Sequence, residues 1–132
     1  MNNRDYKGYI DLKVYKAAYK LALEMFEITK LFPIEEKYSL TDQIRRSSRS
    51  ICANIAEAWK KRKYPKMFVS KVIDSAGEAG ETEVWLNISK DSGYITKDKF
   101  DELIQGYDEI NRMLYGMANK PESFCKTFAN GA

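Results

Sequence analysis

Ser39-Leu40-Thr41-Asp42-Gln43-Ile44-Arg45-Arg46-Ser47-Ser48-Arg49-Ser50-Ile51-Cys52-Ala53-Asn54-Ile55-Ala56-Glu57-Ala58-Trp59-Lys60 contains neither proline nor glycine. At about 3.6 residues per turn it places Leu40, Ile44, Ile51, Ile55 and Ala58 on one helical face. Arg45, Arg49, Lys60 and Lys63 project from the opposite face, with Arg46 at the margin. Ser47, Ser48, Ser50, Ala53 and Ala56 keep the helix thin enough for close neighbours. Ser39 and Asp42 stand in the S-x-x-D arrangement of an N-terminal cap, so a helix is expected over 40–62.

The flanking sequence repeats this pattern. A first helix over 12–31, capped by Asp11, carries two apolar rows: Leu12, Tyr15, Tyr19, Ala22 and Phe26, and beside them Val14, Ala18, Leu21, Met25 and Ile28. Together they span an arc of roughly 200°, about twice what one bundle face needs. A third helix over 65–92 opens on Pro65 and stops before Gly93, with Val69, Val72, Ile73, Ala76, Gly80 and the ionisable Glu83 as its expected core row. A fourth over 97–119 follows Thr96 and carries Phe100, Leu103, Tyr107, Ile110, Leu114 and Met117 at 3,4 spacing. Short connections between such helices predict an all-α, up-down-up-down antiparallel four-helix bundle. It is expected as a single domain over residues 1–132, with a loose tail over 121–132.

Composition narrows the function. Of 132 residues, 44% are hydrophobic and 31% charged, as in an ordinary globular domain. No apolar run approaches the roughly 18 residues of a spanning helix, and Met1-Asn2-Asn3-Arg4-Asp5 lacks the apolar block of a secretory signal, so a cytoplasmic location and no membrane partner are expected. The chain has no histidine, which removes the commonest general base and metal ligand near neutral pH. Cys52 and Cys125 are too few for a zinc site and too far apart for a CxxC pair. No enzyme, metal or cofactor is expected.

The net charge of +3 is unevenly spread. Residues 45–71 carry nine Lys and Arg against Glu57 alone, whereas residues 72–111 carry ten acids against three Lys. The surface should be electrically two-sided.

Gln43-Ile44-Arg45-Arg46, followed by Ser50-Ile51 and Asn54-Ile55-Ala56-Glu57, resembles the hallmark of the 23S rRNA-intervening sequence protein family. So do Asp11-Leu12-Lys13-Val14-Tyr15-Lys16-Ala17, the link Phe32-Pro33-x-x-Glu36-Lys37-Tyr38-Ser39-Leu40, the run Gly77-x-x-x-Glu81-x-Glu83-x-x-Leu86, and Gly93-Tyr94-Ile95. The likeness covers about residues 9 to 118 and departs at Cys52, Ala53 and Ala58, where the family often has proline, a small polar residue and glycine. It implies a bacterial four-helix bundle assembled as a ring-like homopentamer, without catalytic activity. It also implies kinship with an accessory variability protein of retroelements that binds nucleic acid and its enzyme partner through basic surface.

Three sets of residues are therefore candidates. Arg45, Arg46, Arg49, Lys60, Lys61, Arg62, Lys63 and Lys66 form a basic surface suited to the phosphates of RNA or DNA, with a solvated face or head-to-tail pairing between subunits as the alternatives. Val14, Ala18, Leu21, Met25 and Ile28, with Trp85 and Ile88, are expected to bury against other copies of the chain; an under-covered core is the alternative. Gln43, Asn54, Glu57 and Glu83 read as a buried polar network fixing helix register, with Asn54 or Gln43 bonding toward Glu83; an acid/base or metal centre is the alternative. Cys52 is expected packed and Cys125 exposed. The function expected is nucleic-acid binding by a homo-oligomer, the competing class being a scaffold for another protein.

Overall fold

The computed structural model describes residues 6–125. Its four helices are α1 (Lys13–Thr29), α2 (Leu40–Lys60), α3 (Pro65–Asp91) and α4 (Lys97–Asn119), joined by short links and packed in sequence order, with α1 against α4 closing the bundle. Short 3-10 turns lie at Tyr9–Asp11, Ile34–Glu36 and Pro121–Ser123. Among the described residues there is no strand, and no helix is long and apolar enough to cross a membrane.

Local chemistry sets the boundaries. Gly93 at φ +81 ends α3 in a Schellman motif, with Gly93 N–H donating to Lys90 O at 3.0 Å and Tyr94 N–H to Ser89 O at 2.9 Å. Thr96 caps α4 by accepting from Lys99 N–H. Two expected caps are replaced. Asp11 accepts from Lys7 N–H at 2.8 Å and so belongs to the preceding turn, leaving Leu12 at the start of α1. Ser39 holds the cap position of α2 without a side-chain cap bond, because its hydroxyl donates to Glu36 Oε1 at 2.6 Å. Glu36 does the capping: Oε1 also accepts from Leu40 N–H at 3.3 Å, and Oε2 from Tyr94 O–H at 2.9 Å, tying the first link to the α3–α4 turn.

The α2 face is buried as its periodicity predicts, Leu40, Ile44, Ile51, Ile55 and Ala58 all lying in the core. So are Leu103, Tyr107, Ile110, Leu114 and Met117 of α4. The α3 row needs correction. Its buried stripe is Phe68, Val72, Ser75, Ala76, Ala79, Thr82, Leu86 and Ser89, while Ile73 is 49% exposed and Val69 and Glu83 only half-buried. Small hydroxyl residues occupy the stripe because α2 and α3 pack closely: Ser75 donates to Ile51 O at 2.9 Å, and the Ser47 and Thr82 hydroxyls bond at 2.7 Å.

The tail is not loose as far as residue 125. Phe124 stacks on Tyr6 and Phe68, with ring centroids 6.2 and 6.1 Å apart, and Tyr6 meets Trp59 edge-on at 5.7 Å. Cys125, expected exposed, is buried at 4% beneath this cluster. The rest of the expected tail, 126–132, lies outside the described residues.

Candidate nucleic-acid interface

The row Val14, Ala18, Leu21, Met25 and Ile28, expected to bury against other copies, faces the core of its own chain. Val14, Ala18 and Met25 are 3%, 1% and 0% exposed within the single chain, and Leu21 and Ile28 pack half-buried against the core. The row turns inward because Gly106 of α4 admits Leu21; a Cβ there would stand 2.9 Å from Leu21 Cδ1. The surplus apolar surface of α1 lies along the other row beyond Leu12, which is buried at 2%. Tyr19 is 50% exposed and Tyr15, Ala22 and Phe26 half-buried, with Leu23, outside both rows, 55% exposed beside them. With Tyr9, Arg49, Cys52, Ala53 and Ala56 they line an open groove of about 610 Å³ between α1 and α2. A second depression of about 590 Å³ adjoins it across Tyr15 and Tyr19 and carries Lys16 and Lys20.

The eight basic residues divide between the two ends of α2. At its N-terminal half, Arg45 and Arg49 share one support: their guanidinium carbons lie 4.6 and 5.7 Å from the centroid of Phe26. Arg45 Nε also donates to Thr29 Oγ1 at 2.8 Å. Neither arginine has an acidic partner among the described residues. Arg46, one position on, faces α3 and is paired with Glu81 and, at 3.8 Å, with Glu78. At the other end Lys60, Lys63 and Lys66 are exposed without acidic partners among the described residues, whereas Lys61 pairs with Glu57 at 3.1 Å. Arg62 lies flat on Trp59, 3.6 Å from the ring centroid. Between Arg49 and Lys60 the stripe is interrupted for about 16 Å by the apolar floor of the groove.

The four residues of the expected polar network are not brought together. Gln43 accepts from Arg46 at 3.4 Å, Asn54 donates to Ser50 O at 2.9 Å, and Glu57 is exposed between Lys61 and Lys71. Glu83 instead accepts from Asn111 Nδ2 of α4 at 3.0 Å. Burial pushes the Glu83 carboxyl above its ordinary range, the Asn111 bond opposing and Asp108 adding to the shift. The polar groups that do lock α2 to α3 are Ser47, expected only as a small residue admitting a close neighbour, and Ser75 and Thr82, which the sequence reading did not single out. The signal for Ser75 and Thr82 was a 3,4 register shared with Phe68, Val72, Ala79 and Leu86.

Neither thiol is activated. Burial pushes Cys52, on the groove floor, up to about 11, and raises Cys125 as well. Among the described residues no group of His, Cys, Asp and Glu is placed to hold a metal ion.

A further apolar face lies on the outside of α3. Ile73, Val84 and Ile88 are exposed, and a Cβ at Gly77 or Gly80, in the same stripe, would meet nothing within 4 Å. Trp85 sits half-buried at its edge, its Nε1–H donating to Glu81 Oε1 at 3.3 Å. Of the residues expected at an interface, only Trp85 and Ile88 stand on this outer face.

Comparison with known proteins agrees with the helical architecture. No curated protein matches the chain. Among solved structures it is similar to a protein of unknown function from the S23 ribosomal protein family of Bacteroides thetaiotaomicron VPI-5482, at 30% identity and a TM-score of 0.73, over 80% of this chain and 95% of that one. The sequence pattern of the 23S rRNA-intervening sequence protein family matches residues 10–116, and the chain belongs to that family.

Proposed function

We propose that this chain is a non-catalytic, cytoplasmic, single-domain bundle that self-associates and binds nucleic acid, RNA foremost, through the basic surface of α2. The observation that carries the reading is the pair Arg45 and Arg49. Both are held on Phe26 without an acidic partner among the described residues, so their charge remains available to phosphate. Lys60, Lys63 and Lys66 extend the cationic surface at the far end of α2. Titrating a mixed-sequence RNA at low and moderate salt tests this: binding that weakens steeply with salt is expected, and no binding at low salt overturns it.

The outer face of α3 supports the self-association part. Glycine within a helix costs roughly 0.5–1 kcal/mol against alanine, and neither Gly77 nor Gly80 is required by packing inside the chain. A flat strip between Ile73, Val84 and Ile88 suits a helix of another copy, with the homopentamer as the expected assembly. Light scattering at tens of micromolar checks it: Val84→Glu with Ile88→Glu should lower the molar mass, and a monomeric wild type refutes the assembly. If RNA fails to bind while the oligomer persists, the scaffold reading replaces the first.

A further inference from the structure

The groove between α1 and α2 differs from the basic surface around it in being floored by rings. Tyr9, Tyr15 and Tyr19 run along it with successive centroids 5.0 and 5.9 Å apart. Tyr19 is half exposed, and Tyr15 is accessible from both depressions that meet at it. Cations stand at both margins: Arg49 on the α2 side, Lys16 and Lys20 on the α1 side, with Arg45 beyond Phe26. Among the described residues no carboxylate lines either depression, and Asp42 is the one acid at the arginine-lined end. Such a site has π-faces at its centre and positive charge at its rim.

Duplex RNA offers phosphates and 2′-hydroxyls but keeps its base faces stacked on one another, so exposed tyrosine rings gain nothing from it. A single strand presents both phosphates and free base faces, and stacking on aromatic side chains tolerates any sequence. From this juxtaposition we infer that the Tyr15–Tyr19 groove takes unpaired nucleotides, their bases stacking on the tyrosines while Arg49 and Lys20 hold the flanking phosphates. Tyr15 stays a neutral phenol near neutral pH, because burial foremost pushes its pKa above the ordinary phenol value, with Cys52, Tyr9 and Tyr19 adding to the shift; it therefore brings no negative charge against the phosphates. The inference rests on the reading of α2 as a nucleic-acid surface and specifies the strandedness of the ligand.

The experiment compares a labelled oligouridylate with a duplex RNA of equal length at one salt concentration, using the full chain. The single strand should bind about tenfold more tightly. Tyr19→Ala should remove most of that advantage and leave duplex affinity unchanged, whereas Tyr19→Phe, which keeps the ring, should bind as wild type does. Tyr19 is exposed, so helicity and melting temperature are expected to be retained and are checked by circular dichroism. Equal affinity for the two RNAs with a silent Tyr19→Ala, while Arg45→Glu with Arg49→Glu releases both, overturns the groove and leaves the nucleic-acid function standing. No binding of either RNA at low salt overturns both. A fall in molar mass on Tyr19→Ala would mean that another copy occupies the groove, which also overturns the inference.

Discussion

The two flanks of α2 treat neighbouring arginines differently. Toward α3, Arg46 is answered by Glu78 and Glu81, Lys71 by Glu57 and Asp74, and the interior is knit by Ser47, Ser75 and Thr82. Toward α1, Arg45 and Arg49 meet a phenyl ring, a hydroxyl and a carbonyl, with no carboxylate among the described residues. One helix thus spends part of its charge on its own fold and keeps part uncompensated. The comparison teaches that the count of basic residues in a segment overstates the charge available to a ligand.

The largest effect should come from the α1 flank. Arg45→Glu with Arg49→Glu is expected to weaken RNA binding on the order of a hundredfold and to flatten the salt dependence by about 1.4 in log–log slope for a single strand. Arg46→Gln, measured in the same titration, should change affinity by less than about twofold, since its charge is already engaged with α3. Equal losses from both would erase the distinction between the flanks.

On the α3 flank the expected effects are on stability. Ser75→Leu forces a large side chain into the close α2–α3 contact and leaves Ile51 O without its bond, at a cost of about 1–3 kcal/mol by urea denaturation. Two carboxylates then sharpen the comparison through pH, because their shifts have opposite sign. Glu83 has a raised folded value, so the native state binds more protons and stability falls as pH rises from about the ordinary 4.5 through that raised value. Glu83→Gln, permanently uncharged and still able to accept from Asn111, should match wild type below that window and melt higher above it. Glu36 has a lowered value, caused first by the Ser39 bond, then by Tyr94 and Leu40 N–H. Its contribution is complete above pH 4.5 and is lost as pH falls through the lowered folded value. Glu36→Gln, which has no charge to lose, should melt lower than wild type near neutrality and converge with it as pH falls through that window, flattening the acid limb of the melting curve, the smallest effect of the series.

The bundle was legible where one face of a helix was purely aliphatic. Leu40, Ile44, Ile51 and Ile55 in α2, and Leu103, Ile110 and Leu114 in α4, lie where their spacing puts them. It was illegible where two faces compete. In α1 both rows are apolar, and the outward one is distinguished only by its tyrosines, whose hydroxyls suit a wet surface. In α3 serine and threonine are buried because α2 approaches closely, while Ile73 and Val84 lie outside; that choice depends on a neighbour, not on local pattern. The fate of Arg46 was hidden for the same reason, since Glu81 lies 35 residues along the chain. The aromatic groove arises from pairing the tyrosines of α1 with Ala53 and Ala56 of α2, a juxtaposition that neither segment announces alone.

The aromatic cluster at Trp59 has a consequence for how the molecule is made. Tyr6 and Phe124 meet there, so one contact joins nearly the first and nearly the last of the described residues and closes a loop of almost the full chain. During vectorial synthesis the first three helices emerge and can dock long before Phe124 leaves the exit tunnel. Packing of the indole against this cluster therefore awaits the emergence of Phe124, and Trp59 emission, read in a Trp85→Phe variant because the chain has two tryptophans, reports it.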